Sequence, residues 1–334
     1  MIRMGQIGLN YGLKVQIPAF SKDPRFKLVG ICSANIDNAE KIKSLMSLEF
    51  ATDDPEELLS RVDAVSIALP PKEQVIILPK AIEKGLHVFF EKPLGYIPDE
   101  NIKIKKTQAL MVDFEFLEVD VWKELKGLIE KNEIGTILHA EIIWNVETYA
   151  VSNNLNTWKT DPGLLGGVLN NFASHSLHYI EQFMGEINQI YVKALPFDSG
   201  DDQAVYMYLQ FKLGSSACIC LSTNTYKGSG HMLEFTGSSG TALLKNNSNS
   251  TLGNFSLEVY KKTGESYKKN SNITDTKDQD SRIPAVESLV KKFGDWIEKG
   301  DAVQPAFSEA LRVERLLRAC RESITTMKEV NIDF

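Results

Sequence analysis

Two residues of this chain are placed to move a proton. Lys92 stands in Glu91-Lys92-Pro93, directly after the apolar run Gly85-Leu86-His87-Val88-Phe89-Phe90. A lysine there projects from the C-terminal edge of a sheet, the edge at which α/β folds bind ligands. His175 closes a later cluster, Gly166-Gly167-Val168-Leu169-Asn170-Asn171-Phe172-Ala173-Ser174-His175. Oxidising an alcohol requires a group that removes the hydroxyl proton as hydride leaves carbon, and reducing a ketone requires the reverse. A partly desolvated lysine has its pKa lowered toward the working range, and imidazole titrates near neutrality.

The elements that must hold these side chains follow from the hydrophobic pattern. From Ile2 to Phe90, short apolar strands alternate with amphipathic stretches of helical length. That is the βαβ signature of a parallel sheet. Strands are expected over 3–8, 27–32, 64–69 and 87–90, with a short one over 49–51. Helices are expected over 39–48, 54–60 and 74–84, the last capped by Gly85. Beyond Pro93 the rhythm changes. A helix over 122–131 precedes strands over 137–145, 189–194, 205–211, 217–223, 231–237 and 240–244, which read as an antiparallel meander. A helix over 171–184 carries His175, Asn246 to Asn254 reads as a hairpin loop, and helices over 284–298 and 308–327 close the chain. The fold class expected is an α/β N-terminal domain with a parallel sheet over 1–118, and an α+β C-terminal domain with a large open antiparallel sheet over 119–334.

After the first strand comes Gly8-Leu9-Asn10-Tyr11-Gly12, a turn that would offer backbone N–H groups and a helix N-terminus to a pyrophosphate. Asn10 stands where the dinucleotide fingerprint has its middle glycine. Asparagine enters left-handed geometry at a cost of about 1 kcal/mol, so binding should survive the change. Tyr11 is expected to cover the loop. The second strand ends Cys32-Ser33-Ala34-Asn35 without the acid that holds the ribose hydroxyls of NAD. Ser33 therefore gives the NAD(P) site a slight lean to NADP, with Lys41 as a partial substitute for the missing arginine.

Composition narrows the partners. The 334 residues suffice for two cores, and a net charge of -7 argues against a nucleic-acid surface. Lys103-Ile104-Lys105-Lys106 reads as a solvated face. No apolar run approaches membrane-spanning length and no signal sequence opens the chain, so no membrane partner and a cytoplasmic location are expected. The four cysteines have neither disulfide nor metal-ligand spacing, and no metal is expected. Cys218 and Cys220 share one face of a strand and are expected to be buried. His87, His139, His178 and His231 are read as structural.

These residues resemble the family of glucose-fructose oxidoreductase, inositol dehydrogenase and rhizopine catabolism proteins, the Gfo/Idh/MocA family of NAD(P)-dependent oxidoreductases. The likeness runs over nearly the whole chain. It rests on Glu91-Lys92-Pro93 preceded by Ala68-Leu69-Pro70-Pro71 and Gly85-Leu86-His87-Val88, then on Trp158-Lys159-Thr160-Asp161, Gly166-Gly167, His175 and Pro305-Ala306-Phe307. The resemblance implies a Rossmann domain followed by a substrate domain whose open sheet mediates dimers or tetramers. It implies hydride transfer to or from a secondary alcohol or ketone of a sugar, cyclitol or sugar derivative. Catalytic roles would fall on Lys92, His175 and Asn171. Gly8, Asn10, Tyr11, Gly12, Ser33, Ala68, Leu69, Pro70, Pro71, Gln74, Glu91 and Lys92 would bind cofactor. Trp158, Lys159, Asn171 and His175 would meet substrate. Asn171 stands where the family has an aspartate, and an amide hydrogen-bonds but takes no proton. Leu69, Gln74 and His178 depart from the family's usual threonine, histidine and aspartate, and the segment after Pro93 is short enough to lose a helix. These departures keep two alternatives in view: a cofactor-binding regulatory protein without dehydrogenase activity, and an enzyme that uses tightly bound NAD for redox-neutral sugar chemistry.

Overall fold

The structure is a computed structural model that describes residues 1–96, 102–196, 202–248, 250–274 and 280–332. The chain forms two compact units, Met1–Glu115 with Lys277–Arg312, and Phe116–Thr276 with Val313–Phe334.

The first unit is built on six parallel strands, β1 (Ile2–Ile7), β2 (Phe26–Cys32), β3 (Phe50–Thr52), β4 (Ala64–Ile67), β5 (His87–Phe90) and β6 (Leu110–Val112), in the order β3-β2-β1-β4-β5-β6. The order reverses between β1 and β4, the switch point at which such sheets open a crevice. Register aligns the carboxyl ends. Ile7 lies opposite both Cys32 and Ile67, Cys32 opposite Thr52, Ile67 opposite Phe90, and Phe90 opposite Val112. One edge therefore presents Asp53, Ser33, Gly8, Ala68, Glu91 and Asp113 in sheet order.

Strands β1 and β4 stop one and two residues earlier than the pattern suggests, because Gly8 turns to φ +85° and Ala68 and Leu69 lead into the Pro71–Glu83 helix. The short strand β6 adds to those expected. Between Tyr96 and β6, the described residues 102–109 form no helix, and the rest of the segment expected to be short lies outside the described residues. The Ile283–Lys299 helix comes late in sequence yet buries Val286, Leu289, Val290, Phe293 and Trp296 in the core with Met4, Phe20, Phe26 and Phe89. Its apolar face follows the 3.6-residue period, and each such side chain contributes roughly 1.5–3 kcal/mol on burial. Phe293 stacks on Phe26 at 5.8 Å between ring centroids.

The second unit carries nine strands: β7 (Ile137–Asn145), β8 (Ile187–Pro196), β9 (Asp202–Phe211), β10 (Ser216–Ser222), β11 (Gly230–Gly237), β12 (Gly240–Asn246), β13 (Ser256–Lys261), β14 (Ser266–Asn270) and β15 (Val330–Asn331). Their order is β14-β13-β12-β11-β7-β10-β9-β8-β15. The expected meander is corrected at one place: β10 runs parallel to β7, with Ile219 opposite Ile142. The chain leaves β7 for a helical excursion before returning as β8, so β7 pairs with later strands on both sides. The cysteine expectation is also corrected. Cys218 is exposed and Cys220 half-buried, because β10 turns Ala217, Ile219 and Leu221 inward. Among the described residues, no helix is long and apolar enough to cross a membrane, and no group of side chains has the makings of a metal site.

Candidate active site

The glycine turn occupies the switch point of the first unit. At φ +85° Gly8 adopts a conformation that L side chains rarely take, and a Cβ there would lie 2.2 Å from the Ala68 carbonyl oxygen. A Cβ on Gly12 would meet the Gln6 amide at 2.6 Å. Asn10 is corrected: it is exposed and already helical, not left-handed, and needs no strained backbone. Helix begins at Asn10, passes through a π turn over Gly12–Gln16 and continues as Ile17–Phe20. The opening amides of such a helix have no intrahelical acceptor and attract anions. Neither glycine position has room for a side chain, so the turn stays tight ahead of the helix start, which suits a dinucleotide pyrophosphate.

The other sequence-named residues of this unit line the same carboxyl edge. Ala68 donates its N–H to Ile7 O at 2.8 Å, and Leu69 follows it beside the turn. Pro70 and Pro71 start the next helix. Ser33 accepts the Asn35 N–H at 3.3 Å, and Asp53 and Asp54 follow the adjoining strand β3. Gln74 is fully buried and turns its amide onto the motif, donating to Glu91 O at 2.6 Å and Pro93 O at 3.2 Å. The Lys92-Pro93 peptide is cis.

Lys92 is half-buried among charges. Burial pushes its amine below the ordinary lysine range, while Glu115, Glu91 and Asp113 oppose that shift and Arg282 reinforces it. Burial, with help from Asp113, pushes the Glu115 carboxyl up to about 7. Tyr11 stays neutral, since burial and the same three acids raise its phenol well above the usual value. The Arg282 guanidinium lies 4.9 Å from the centre of the Tyr11 ring and is held by Asp280 through bonds of 2.8 and 2.6 Å. Sequence reasoning missed Gln6, Gln16, Asp113, Glu115 and Arg282. The signal available was the pair of acids inside the apolar run Leu110-Met111-Val112-Asp113-Phe114-Glu115-Phe116.

The second unit has its own polar cavity, of about 480 Å³, lined by Glu147, Thr148, Lys159, Asn171, Gln203 and Asn224 among others. Asn224 donates to Gln203 at 2.6 Å, and the Thr148 N–H donates to Thr223 O at 3.0 Å, so strand ends build the floor. Of the paired glycines, Gly167 lines the cavity. A Cβ on Gly166 would meet Trp158 O at 2.6 Å, and Gly167 adopts φ +91°. Lys159 reaches the cavity with its ammonium 5.8 Å from the Trp158 ring, whereas Trp158 itself is not among the lining residues.

Asn171 and His175 lie on one helical run that opens as a π turn over Leu169–Ala173 and continues as Ser174–Met184. π turns of this kind are frequent at functional sites. His175 packs edge-on against Phe116 at 4.9 Å. The neighbouring His178 and His231 are buried. Burial lowers His178 and His231 to about 3, and the His231 ring stacks on Trp144 at 4.2 Å and bonds Tyr179 Oη at 3.0 Å. The His87 ring nitrogen accepts the Ala109 N–H, and His139 lies exposed on the outer sheet face.

Comparison with known proteins agrees with this architecture. Residues 2–111 match the model described as oxidoreductase family, NAD-binding Rossmann fold, and residues 122–243 match the GFO/IDH/MocA C-terminal domain. The chain is similar to the uncharacterized oxidoreductase sll0816 of Synechocystis, 28% identical over 54% of this chain and 50% of that protein, so it spans about half of that relative. It is 22% identical to the uncharacterized oxidoreductase YrbE of Bacillus subtilis, over 100% of this chain and 96% of that one. Levoglucosan dehydrogenase of Pseudarthrobacter phenanthrenivorans is 25% identical over 52% of this chain and 48% of its own. A solved levoglucosan dehydrogenase in complex with NADH superimposes with a TM-score of 0.84 at 18% identity, covering 99% of each chain. The two matched segments, one for each half of the architecture, place the chain in the Gfo/Idh/MocA family of NAD-binding oxidoreductases.

Proposed function

We propose that this protein is an NAD-dependent dehydrogenase that transfers hydride to or from a secondary alcohol or ketone of a sugar, cyclitol or sugar derivative. The observation that carries the reading is the bare Gly8 turn at the switch point with the half-buried Lys92 on the same carboxyl edge. Supporting it are relatives named levoglucosan dehydrogenase and scyllo-inositol 2-dehydrogenase. Gly8, Asn10, Tyr11 and Gly12 would bind the pyrophosphate. Ser33, with Ala68 to Pro71, would border the adenosine and nicotinamide ends, and Glu91 with Gln74 would hold the motif. Bound NAD supplies the hydride acceptor or donor. Lys92, its amine depressed by burial, takes the hydroxyl proton during oxidation and returns it during reduction, and His175 shares that role. Asn171 and Lys159, with the amides of Gln203 and Asn224, offer the mixed donors and acceptors that a polyhydroxyl substrate needs.

For the adenosine end we propose NAD over the lean to NADP suggested by Ser33. Asp53 and Asp54 follow β3, beside the end of β2, and would repel a 2′-phosphate. Titration of cofactor-stripped protein, followed by nicotinamide fluorescence, is expected to give NADH at least about tenfold tighter than NADPH, a difference of roughly 1.4 kcal/mol. Tighter NADPH would return the assignment to Ser33, and binding of neither would remove the dinucleotide reading.

A second copy of the chain is the partner we propose for the outer sheet face. On β9, Val205, Met207 and Leu209 point inward and leave Tyr206 and Tyr208 exposed. Light scattering is expected to show a dimer or tetramer. A monomer at every working concentration would contradict this.

A further inference from the structure

Glu91 and Asp113 follow adjacent strand ends, and one amide group, Gln16 Nε2, holds a carboxyl oxygen of each. Two carboxylates gathered on one amide out of water repel each other, and a proton shared between them removes that repulsion. Asp113 is 1% exposed, and its Oδ1 has no hydrogen-bond partner among the described residues. The pair does not stand alone. Gln16 donates its amide to Glu91 Oε1 at 2.9 Å and to Asp113 Oδ2 at 3.3 Å. Gln16 Oε1 in turn accepts from Ser66 at 2.6 Å and from Gln6 at 3.4 Å, and Gln6 donates to Gly8 O at 3.1 Å. One buried polar chain thus runs from the carboxyl pair, next to Lys92 in sequence, to the carbonyl of the glycine turn.

We propose that Glu91 and Asp113 hold a single proton between them in the working protein, and that Asp113 in its acid form is a positioning residue for the glycine turn. The proposal rests on the reading of that turn as the dinucleotide site. With the proton in place, the pair carries one negative charge and Gln16 bridges both partners. Without it, two negative charges face each other in a dry site, and like-charge repulsion loosens the bridge that holds Gln6 against Gly8. The charged and titratable groups around the pair are Lys92, Glu115, Tyr11 and Arg282 with its partner Asp280. Burial, then the charge and hydrogen bond of Glu91, hold the Asp113 carboxyl well above the usual range, against Gln16 and Lys92.

The test uses infrared spectroscopy and NADH binding on the full chain. At about pH 8 ordinary carboxyl groups are ionised. Wild-type protein is expected to keep the carbonyl stretch of a protonated carboxylic acid there, and Asp113→Asn is expected to lose it. Glu115→Gln controls for the residual acid form of Glu115. The asparagine mimics the neutral acid and cannot ionise. NADH affinity of Asp113→Asn should therefore stay within about threefold of wild type near neutrality and should change less with rising pH than that of wild type, which weakens as the pair loses its proton. If Asp113→Asn does not fold, Glu91→Gln decides the proton pair by the band alone. Absence of the band in wild type, or its persistence in both neutral variants, overturns the shared proton. A band that vanishes as expected, with an identical pH dependence of NADH binding in wild type and variant, overturns the positioning role. Wild type that binds no NADH at any pH overturns the cofactor reading and the positioning role together, and the band still decides the proton pair.

Discussion

Lys92→Gln is expected to lower turnover by about 10²- to 10⁴-fold, the range associated with loss of a positioned acid–base group. Glutamine keeps much of the length and polarity of lysine but neither accepts nor delivers the proton. Because the Gly8 turn is untouched, NADH affinity should stay within a few-fold of wild type, so the loss should appear in kcat. Lys92→Arg is expected to fail as well, since a guanidinium stays protonated through the working range. Its added bulk in a half-buried position among Glu91, Asp113 and Glu115 would cost further. Stopped assays at saturating substrate measure this directly. Normal turnover in Lys92→Gln would remove the lysine from the chemistry.

Gly8→Ala is expected to give the largest effect on cofactor binding. The added methyl would sit 2.2 Å from Ala68 O and 2.8 Å from Ala68 C, both backbone atoms that cannot swing aside. The left-handed φ adds roughly 1–2 kcal/mol of strain. The turn must therefore move, and with it the opening amides of the helix that starts at Asn10. NADH affinity is expected to fall by at least about tenfold, and the melting temperature by several degrees, since 1 kcal/mol corresponds to roughly 2–4 °C in a chain of this class. Fluorescence titration and thermal unfolding read the two effects separately. An alanine variant that binds NADH like wild type would mean that the turn does not contact cofactor.

Much of the first unit was legible because its signals are local. Alternating apolar strands, the Gly8 turn and the cap at Gly85 each follow from backbone or burial physics within a few residues. The second sheet was legible strand by strand but not in its pairing. Nothing near β7 announces that β10 will lie parallel beside it, since partner choice is settled by contacts far apart in sequence. The face taken by Cys218 failed for a related reason: the alternation along β10 reads equally well with either face inward, and the sheet chose Ala217, Ile219 and Leu221.

The candidate sites of the two units divide in the same way. Lys92, Asn171, His175 and the glycine turn stand in motifs with recognisable neighbours. Gln6, Gln16, Asp113 and Glu115 act through bonds between separate strands and a helix, and single polar residues in apolar runs do not disclose their partners. Asn10 shows the limit of motif reasoning. Its place in the fingerprint suggested a left-handed residue, whereas the helix begins at Asn10 itself and absorbs it at no backbone cost.

The most direct measurement is nicotinamide absorbance when purified protein and NAD are mixed with a panel containing levoglucosan, the inositols and common aldoses, run beside Lys92→Gln. The account predicts substrate-dependent formation of NADH by wild type with at least one polyhydroxyl compound, and its near-complete loss in the variant. Tight NADH binding with no absorbance change across the panel, or an equal change in both proteins, would contradict it.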